Sequence, residues 1–437
     1  MSTITNQTIA TAILGIDTLW GGDVMCLSGT GRFIADSWFA DEPLPLAYTH
    51  PSAARLRETG GVSAKEPDRV AIDTYLQAVD VRGAISALAT SPSIFIRNIA
   101  DCLEVMWDLS RELLGQGEAV PYERCVRAST GAAPEPSDPR AKRELVAELL
   151  ARAGYPSQDL LQAVDEWRKP RMVPMASLKS LGAAVIARYD ALCVRNLLPY
   201  LPEELHNIPR ANITFLAIKD AWFSGSMNYI GRARNTDGSP QYEANYEINA
   251  SLNISVPEFE QLVTHEVVPG HVTTFAYLQD LYHRGLAGFE ATVLTMNTRA
   301  ATLYEGIANN ALLMACGVTE IDELDDDDLK IGLLLALLQD DAKNQASYLT
   351  WHEGAAQPDV AATLRRDFLV SEERAGKLSG AWGRHPLLGR MYLPAYRAGT
   401  EKVAAWRRKY AAKDIIPALY GCRGLVDITT IEEILAS

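Results

Sequence analysis

Apolar residues recur at helical spacing along most of this chain. Amphipathic stretches run near 69–90, 95–115, 141–153, 157–168 and 177–198, and again over 257–283, 287–316, 326–349 and 390–410. That period belongs to helices with one apolar stripe turned to a core. Strand-like material is confined to about 212–218 and 243–254. The pattern predicts a mainly α protein with a small β-sheet. The segment Gly131 to Pro139, rich in Ala and Pro, reads as a linker or as a long loop between helices. It would divide an N-terminal helical half, 1–130, from a C-terminal half, 210–437, within a single mostly helical domain over 1–437.

One stretch carries chemistry. His265-Glu266-Val267-Val268-Pro269-Gly270-His271 sets two imidazoles and a carboxylate beside a Pro-Gly break. Imidazoles hold zinc, and a neighbouring carboxylate is the general base that a zinc hydrolase needs. The familiar spacing puts the two histidines four apart on one helix face. Here they are six apart, which a regular helix would separate by about 240°. Pro269 cannot donate to the His265 carbonyl, and its ring crowds that turn. The motif therefore predicts a distorted helix, looped so that His271 returns towards His265.

The flanking residues predict that both halves point inward. Ser255-Val256-Pro257-Glu258 has the form of a capping box with proline in the first turn. The stripe Phe259, Leu262, Val263 next reaches Glu266, and a second stripe runs His271, Thr274, Phe275, Leu278. A carboxylate aimed at a core is costly unless a cation or hydrogen bonds meet it. Zinc also needs a third protein ligand. Glu305, in Thr302-Leu303-Tyr304-Glu305-Gly306, has small helical neighbours, Ala301 and Ala308, that would admit another helix; Glu290 is the competitor.

His-Glu-x-x-Pro-Gly-His, followed some tens of residues later by Glu-Gly, resembles the domain-of-unknown-function family 885, whose bacterial members are grouped with zinc peptidases of the carboxypeptidase Taq type. Tyr246-Glu247-Ile248-Asn249 and Tyr396-Arg397-Ala398-Gly399 look like two further segments of that family, so the resemblance spans roughly residues 240 to 400. The chain departs from it at Val272, where the family has a histidine, and at Ile307, where it has a tryptophan. The resemblance implies a large helical, gluzincin-like fold with a small sheet beside the cleft. It implies one zinc per chain on His265, His271 and Glu305, with Glu266 as general base, a peptide or small amide as substrate, and a homodimer. On the same footing Tyr396 would donate to the developing oxyanion, with Tyr392 one turn earlier as fallback. Arg397 or Arg390 would pair with a substrate carboxylate. The strand leading into the motif would bring Asn249 and Asn253 to the cleft, unless it is only a structural hairpin. Two rival readings stand: a metal hydrolase of non-peptide amides or esters, and a helical binding protein that kept the fold without the reaction.

Composition narrows the partners. A net charge of −14 argues against a nucleic-acid partner, which needs a basic face. Asp325-Asp326-Asp327-Asp328 reads as acids at a helix N-terminus. Six cysteines without a Cys-x-x-Cys pair, no basic segment before the first apolar residues, and a longest apolar run of only Leu333 to Leu338 suggest a cytoplasmic protein with no membrane partner. Gly225 to Gly238 reads as a polar loop able to overhang the site, and His352 and His385 as structural histidines.

Overall fold

The computed structural model describes residues 4–29, 31–218, 225–249 and 254–436. Ile94–Leu113, Arg140–Arg152, Leu160–Arg168, Leu178–Asn196, Asp327–Ser347 and Leu393–Lys409 are helices, close to where the periodicity predicts them. Two stretches differ. Residues 69–90 form two helices, Arg69–Ala78 and Val81–Leu88, because the Asp80 side chain accepts from the Gly83 N–H and caps the second. The helix expected from 287 begins only at Arg299, capped by Thr298.

The strands are β1 (Ala35–Trp38), β2 (Asn212–Ile218), β3 (Gly225–Ile230), β4 (Glu243–Asn249) and β5 (Val293–Thr295). β1 and β5 pair antiparallel, Trp38 opposite Val293, and this pairing takes residues 293–295 out of the helical pattern. The other sheet has the order β2-β4-β3, with β4 parallel to β2 and antiparallel to β3. The polar stretch read as a loop from Gly225 is therefore strand as far as Ile230, because backbone pairing with β4 outweighs its Gly and Ser content. Residues 250–253, with Asn253, lie outside the described residues.

A continuous apolar core joins Ile9 and Trp20 to Tyr420 and Ile431, drawing on both halves of the chain. The segment from Gly131 to Pro139 is a loop fastened to the Asp327–Ser347 helix. The Ser137 N–H donates to Gln345 Oε1 at 2.8 Å, and Asn344 Nδ2 donates to the Glu135 carbonyl at 2.9 Å. The acids at 326–328 are spent as the dipole argument predicts. Asp326 caps that helix, Asp327 pairs with Arg152, and Asp328 accepts from Arg171 and Trp167.

One crossing positions the site. Helix Arg299–Cys316 packs on helix Leu393–Lys409 at Gly306 and Gly399. A Cβ on Gly399 would stand 2.0 Å from the Thr302 carbonyl, and one on Gly306 would stand 2.4 Å from the Gly399 carbonyl. Only glycine on both sides allows this approach. The close contact is thus at Gly306 itself rather than at Ala301 and Ala308.

Candidate metal centre

The motif is two helices joined by a tight turn. Val256–Glu266 starts on the expected capping box, with Ser255 and Glu258 satisfying each other's backbone N–H groups. It stops at Val267, whose φ −115° and ψ −82° are not helical, and His271–His283 restarts after Gly270. The Gly270 N–H donates back to the Thr264 carbonyl at 3.0 Å. A Cβ on Gly270 would lie 1.8 Å from the His265 carbonyl oxygen, so the turn closes only with glycine there. The result is the return of His271 that the spacing predicts: the two imidazole centroids are 4.8 Å apart and nearly perpendicular.

Glu305 completes the group from the central helix. His265 Nε2 is 3.5 Å and His271 Nε2 is 3.8 Å from Glu305 Oε2, and a ligand atom of each residue lies within 4.8 Å of the other two. Bonds of about 2.0–2.1 Å at a tetrahedral angle place donor atoms about 3.3 Å apart, so small adjustments would bring all three onto one ion. The hydrogen bonding around them fits a cation. Glu305 Oε1 accepts from the Tyr392 hydroxyl at 2.6 Å, while Oε2, the oxygen facing the imidazoles, is buried with no hydrogen-bond partner among the described residues. A buried orphan acceptor costs free energy that a metal would recover. Glu290, the competing ligand, sits in the short helical turn Phe289–Thr292 and does not line the cavity.

A chain of hydrogen bonds orients His265. Its Nδ1 lies 2.8 Å from Asn309 Oδ1, and Asn309 Nδ2 donates to Asp340 Oδ2 at 2.7 Å and to Thr400 Oγ1 at 2.8 Å. With Nδ2 committed as donor, Oδ1 must accept, so the His265 hydrogen sits on Nδ1 and the Nε2 lone pair faces Glu305. Lys343 Nζ donates to Asp340 Oδ1 at 2.9 Å and lies 3.2 Å from the centre of the Tyr396 ring. Asn309 is one helical turn beyond Glu305, a spacing that could have drawn attention to it. Asp340 and Lys343, on another helix, and Asp36, on β1, carry no such signal.

Burial dominates the electrostatics. It holds His271 down to about 4, against the pull of Asp36, and holds His265 well below the usual imidazole range, so both are neutral near pH 7. Burial lifts Glu305 to about 7, opposed by Lys343 and the Tyr392 hydrogen bond. It lifts Glu266 to about 8; the Glu305 charge adds to this, while Lys343 and the Met227 backbone N–H of β3 oppose it.

These groups line a cavity of about 610 Å³ together with Asp36, Arg32, Phe33, Phe275, Tyr304, Tyr392 and Tyr396. Tyr392 and Tyr396 stack edge to face with centroids 5.1 Å apart. His385, read as structural, also lines the cavity. Three expected substrate contacts are corrected. Arg390 is buried away from the cavity, paired with Glu112 at 2.8 Å and lying over the Trp351 ring. Arg397 Nε donates to Glu401 at 2.9 Å, and its Nη1 donates to the carbonyls of Glu135 and Pro136 at 3.4 and 3.3 Å. Asn249 is buried at the end of β4, the central strand of its sheet; the cavity is lined instead by Gly225, Ser226 and Met227 of β3. His352 stacks on Tyr348 outside the cavity.

No family model and no curated protein matches the chain, so the likeness to family 885 rests on the motif residues quoted above. Solved structures share the fold. A candidate lipoprotein from Colwellia psychrerythraea aligns at 14% identity with a TM-score of 0.54, over 89% of this chain and 66% of its own length. A candidate lipoprotein of unknown function from Shewanella oneidensis aligns at 13% identity with a TM-score of 0.53, over 90% of this chain and 77% of its own. Both neighbours are described as lipoproteins, which counts against the cytoplasmic placement expected from the sequence. Among the described residues no helix is long and apolar enough to cross a membrane.

Proposed function

We propose that the chain is a zinc-dependent metallopeptidase of the carboxypeptidase-like kind, with His265, His271 and Glu305 as metal ligands, in keeping with its resemblance to family 885. The observation that carries the reading is the buried, unpartnered Glu305 Oε2 facing two neutral imidazole nitrogens. A bound zinc ion would supply Lewis-acid polarisation of a carbonyl and acidification of a water. The remaining steps belong to the chain's own groups. Asn309 and Asp340 hold His265 in the tautomer that offers Nε2. Tyr392 fixes Glu305 through Oε1 and leaves Oε2 free for the ion. Glu266, adjacent to His265 and lining the same cavity, takes the proton of the attacking water and returns it to the leaving amine. Tyr396 supplies the phenol for the oxyanion, since the Tyr392 hydroxyl is committed to Glu305.

The test is Glu266→Gln in protein assayed for both metal and turnover on a peptide library. The variant should keep about one zinc per chain and lose about 10²–10⁴-fold in hydrolysis. Full activity in the variant, or wild-type protein that binds no zinc, would overturn the reading.

A further inference from the structure

We propose that Arg32 receives a carboxylate of the substrate inside the metal-site cavity. This rests on the reading that the cavity is where substrate binds, and it assigns the recognition role that Arg390 and Arg397 cannot fill. Arg32 is only 6% exposed, yet it lines the cavity. Its Nε donates to the Cys26 carbonyl at 2.9 Å and its Nη1 to the Asp36 carbonyl. Both acceptors are neutral backbone oxygens, and no described carboxylate lies within ion-pair distance of Arg32; the Asp36 carboxyl acts on it only at longer range. Two other cations on the cavity wall have such a partner: Arg168 pairs with Glu258 at 2.6 Å, and Lys343 with Asp340 at 2.9 Å. A buried guanidinium with no carboxylate in direct contact is costly. It is tolerable where an anion arrives to pair with it.

The geometry suits that use. Two backbone bonds fix the plane of the guanidinium and leave N–H groups on Nη1 and Nη2, the edge that grips a carboxylate through two parallel bonds. The place is near the reacting centre: Arg32 holds the Asp36 carbonyl, and Asp36 lines the same cavity as His271 and Glu305. Phe33, the next residue, packs against His385 with ring centroids 5.0 Å apart. His385 Nδ1 accepts from the Leu387 and Leu388 N–H groups, both at 3.2 Å, so its hydrogen sits on Nε2. That neutral donor lines the same cavity as Arg32 and offers a second contact for an acidic group.

The experiment uses full-length protein freed of metal by a chelator, so that a carboxylate cannot be captured by zinc. Calorimetry compares N-acetylphenylalanine with N-acetylphenylalaninamide, which differ only in the acid. The wild type should bind the acid at least about tenfold more tightly than the amide. Arg32→Met should bring that ratio to about one without changing affinity for the amide, and Arg32→Lys, which keeps the charge but not the fork, should give an intermediate ratio. A wild-type ratio near one overturns the proposal even if a variant fails to fold, and so does a ratio that neither variant alters. Zinc content and peptide turnover of the untreated protein are measured in parallel. Protein that binds no zinc but prefers the acid sinks the peptidase reading alone; an active zinc enzyme indifferent to the acid sinks this proposal alone.

Discussion

Replacing Asn309 with alanine removes the side chain that holds the His265 ring through Nδ1. The His265 Nδ1 hydrogen loses an acceptor at 2.8 Å, and Asp340 and Thr400 lose donors at 2.7 and 2.8 Å. Asp340 keeps Lys343 at 2.9 Å, so its charge stays paired and the fold should survive. An unsatisfied buried polar group costs about 1–3 kcal/mol of stability. Loss of an outer partner from a ligating imidazole typically costs 10–100-fold in metal affinity, or about 1.4–2.8 kcal/mol. The assay is zinc titration against a chromophoric chelator at fixed pH, alongside thermal melting of the metal-free protein. His265→Ala, which deletes the ligand outright, should lose far more affinity than Asn309→Ala. If folded Asn309→Ala bound zinc as tightly as the wild type, the assignment of His265 Nε2 as a ligand oriented by Asn309 would be wrong.

Other consequences follow from the same geometry. Gly270→Ala places a Cβ 1.8 Å from the His265 carbonyl, so the turn must open and zinc affinity should fall by about as much as when a ligand is lost; near-normal affinity by the same titration would refute the turn's role. Proton coupling should also have an unusual pH window. Glu305 is lifted to about 7 and Glu266 to about 8, while burial holds both imidazoles low, so the carboxyls rather than the histidines hold protons at pH 6. Because zinc needs the carboxylate form, apparent affinity should rise about tenfold per unit of pH up to about 7 and level off only near 8. A plateau already reached at pH 6 would contradict this. Arg390→Met should lower the melting temperature, because Glu112 loses its buried partner at a cost of about 3 kcal/mol, yet leave discrimination between acid and amide ligands unchanged.

The parts of the site legible in the sequence are those set by short-range rules. The capping box at Ser255, the inward stripes, and the need for Pro269-Gly270 to turn the chain all follow from spacing within a few residues. Glu305 was reachable because a buried helix face carries few carboxylates. Asp36 and Arg32 are not legible in the sequence, since long-range contacts of β1 with β5 and β3 carry that segment to the motif. The pairing with β5 also shortened the helix expected from 287. Arg390 and Arg397 look alike in sequence to a substrate-binding arginine; what separates them from that role is Glu112, brought to Arg390 by tertiary packing, and Glu401, one helical turn beyond Arg397 on the same helix and so legible in the sequence. Gly399 belongs to the Tyr396-Arg397-Ala398-Gly399 segment, but its physical reason, contact with the Thr302 carbonyl, lies in the crossing of the two helices.

The most direct test of the central claim is X-ray absorption at the zinc edge on protein loaded with one equivalent of metal. Two imidazole nitrogens at about 2.0–2.1 Å and a carboxylate oxygen at about 2.0–2.2 Å should appear, and the nitrogen count should fall by one in His265→Ala and again in the double variant with His271→Ala. A shell without imidazole, or one that these substitutions leave unchanged, would contradict the account.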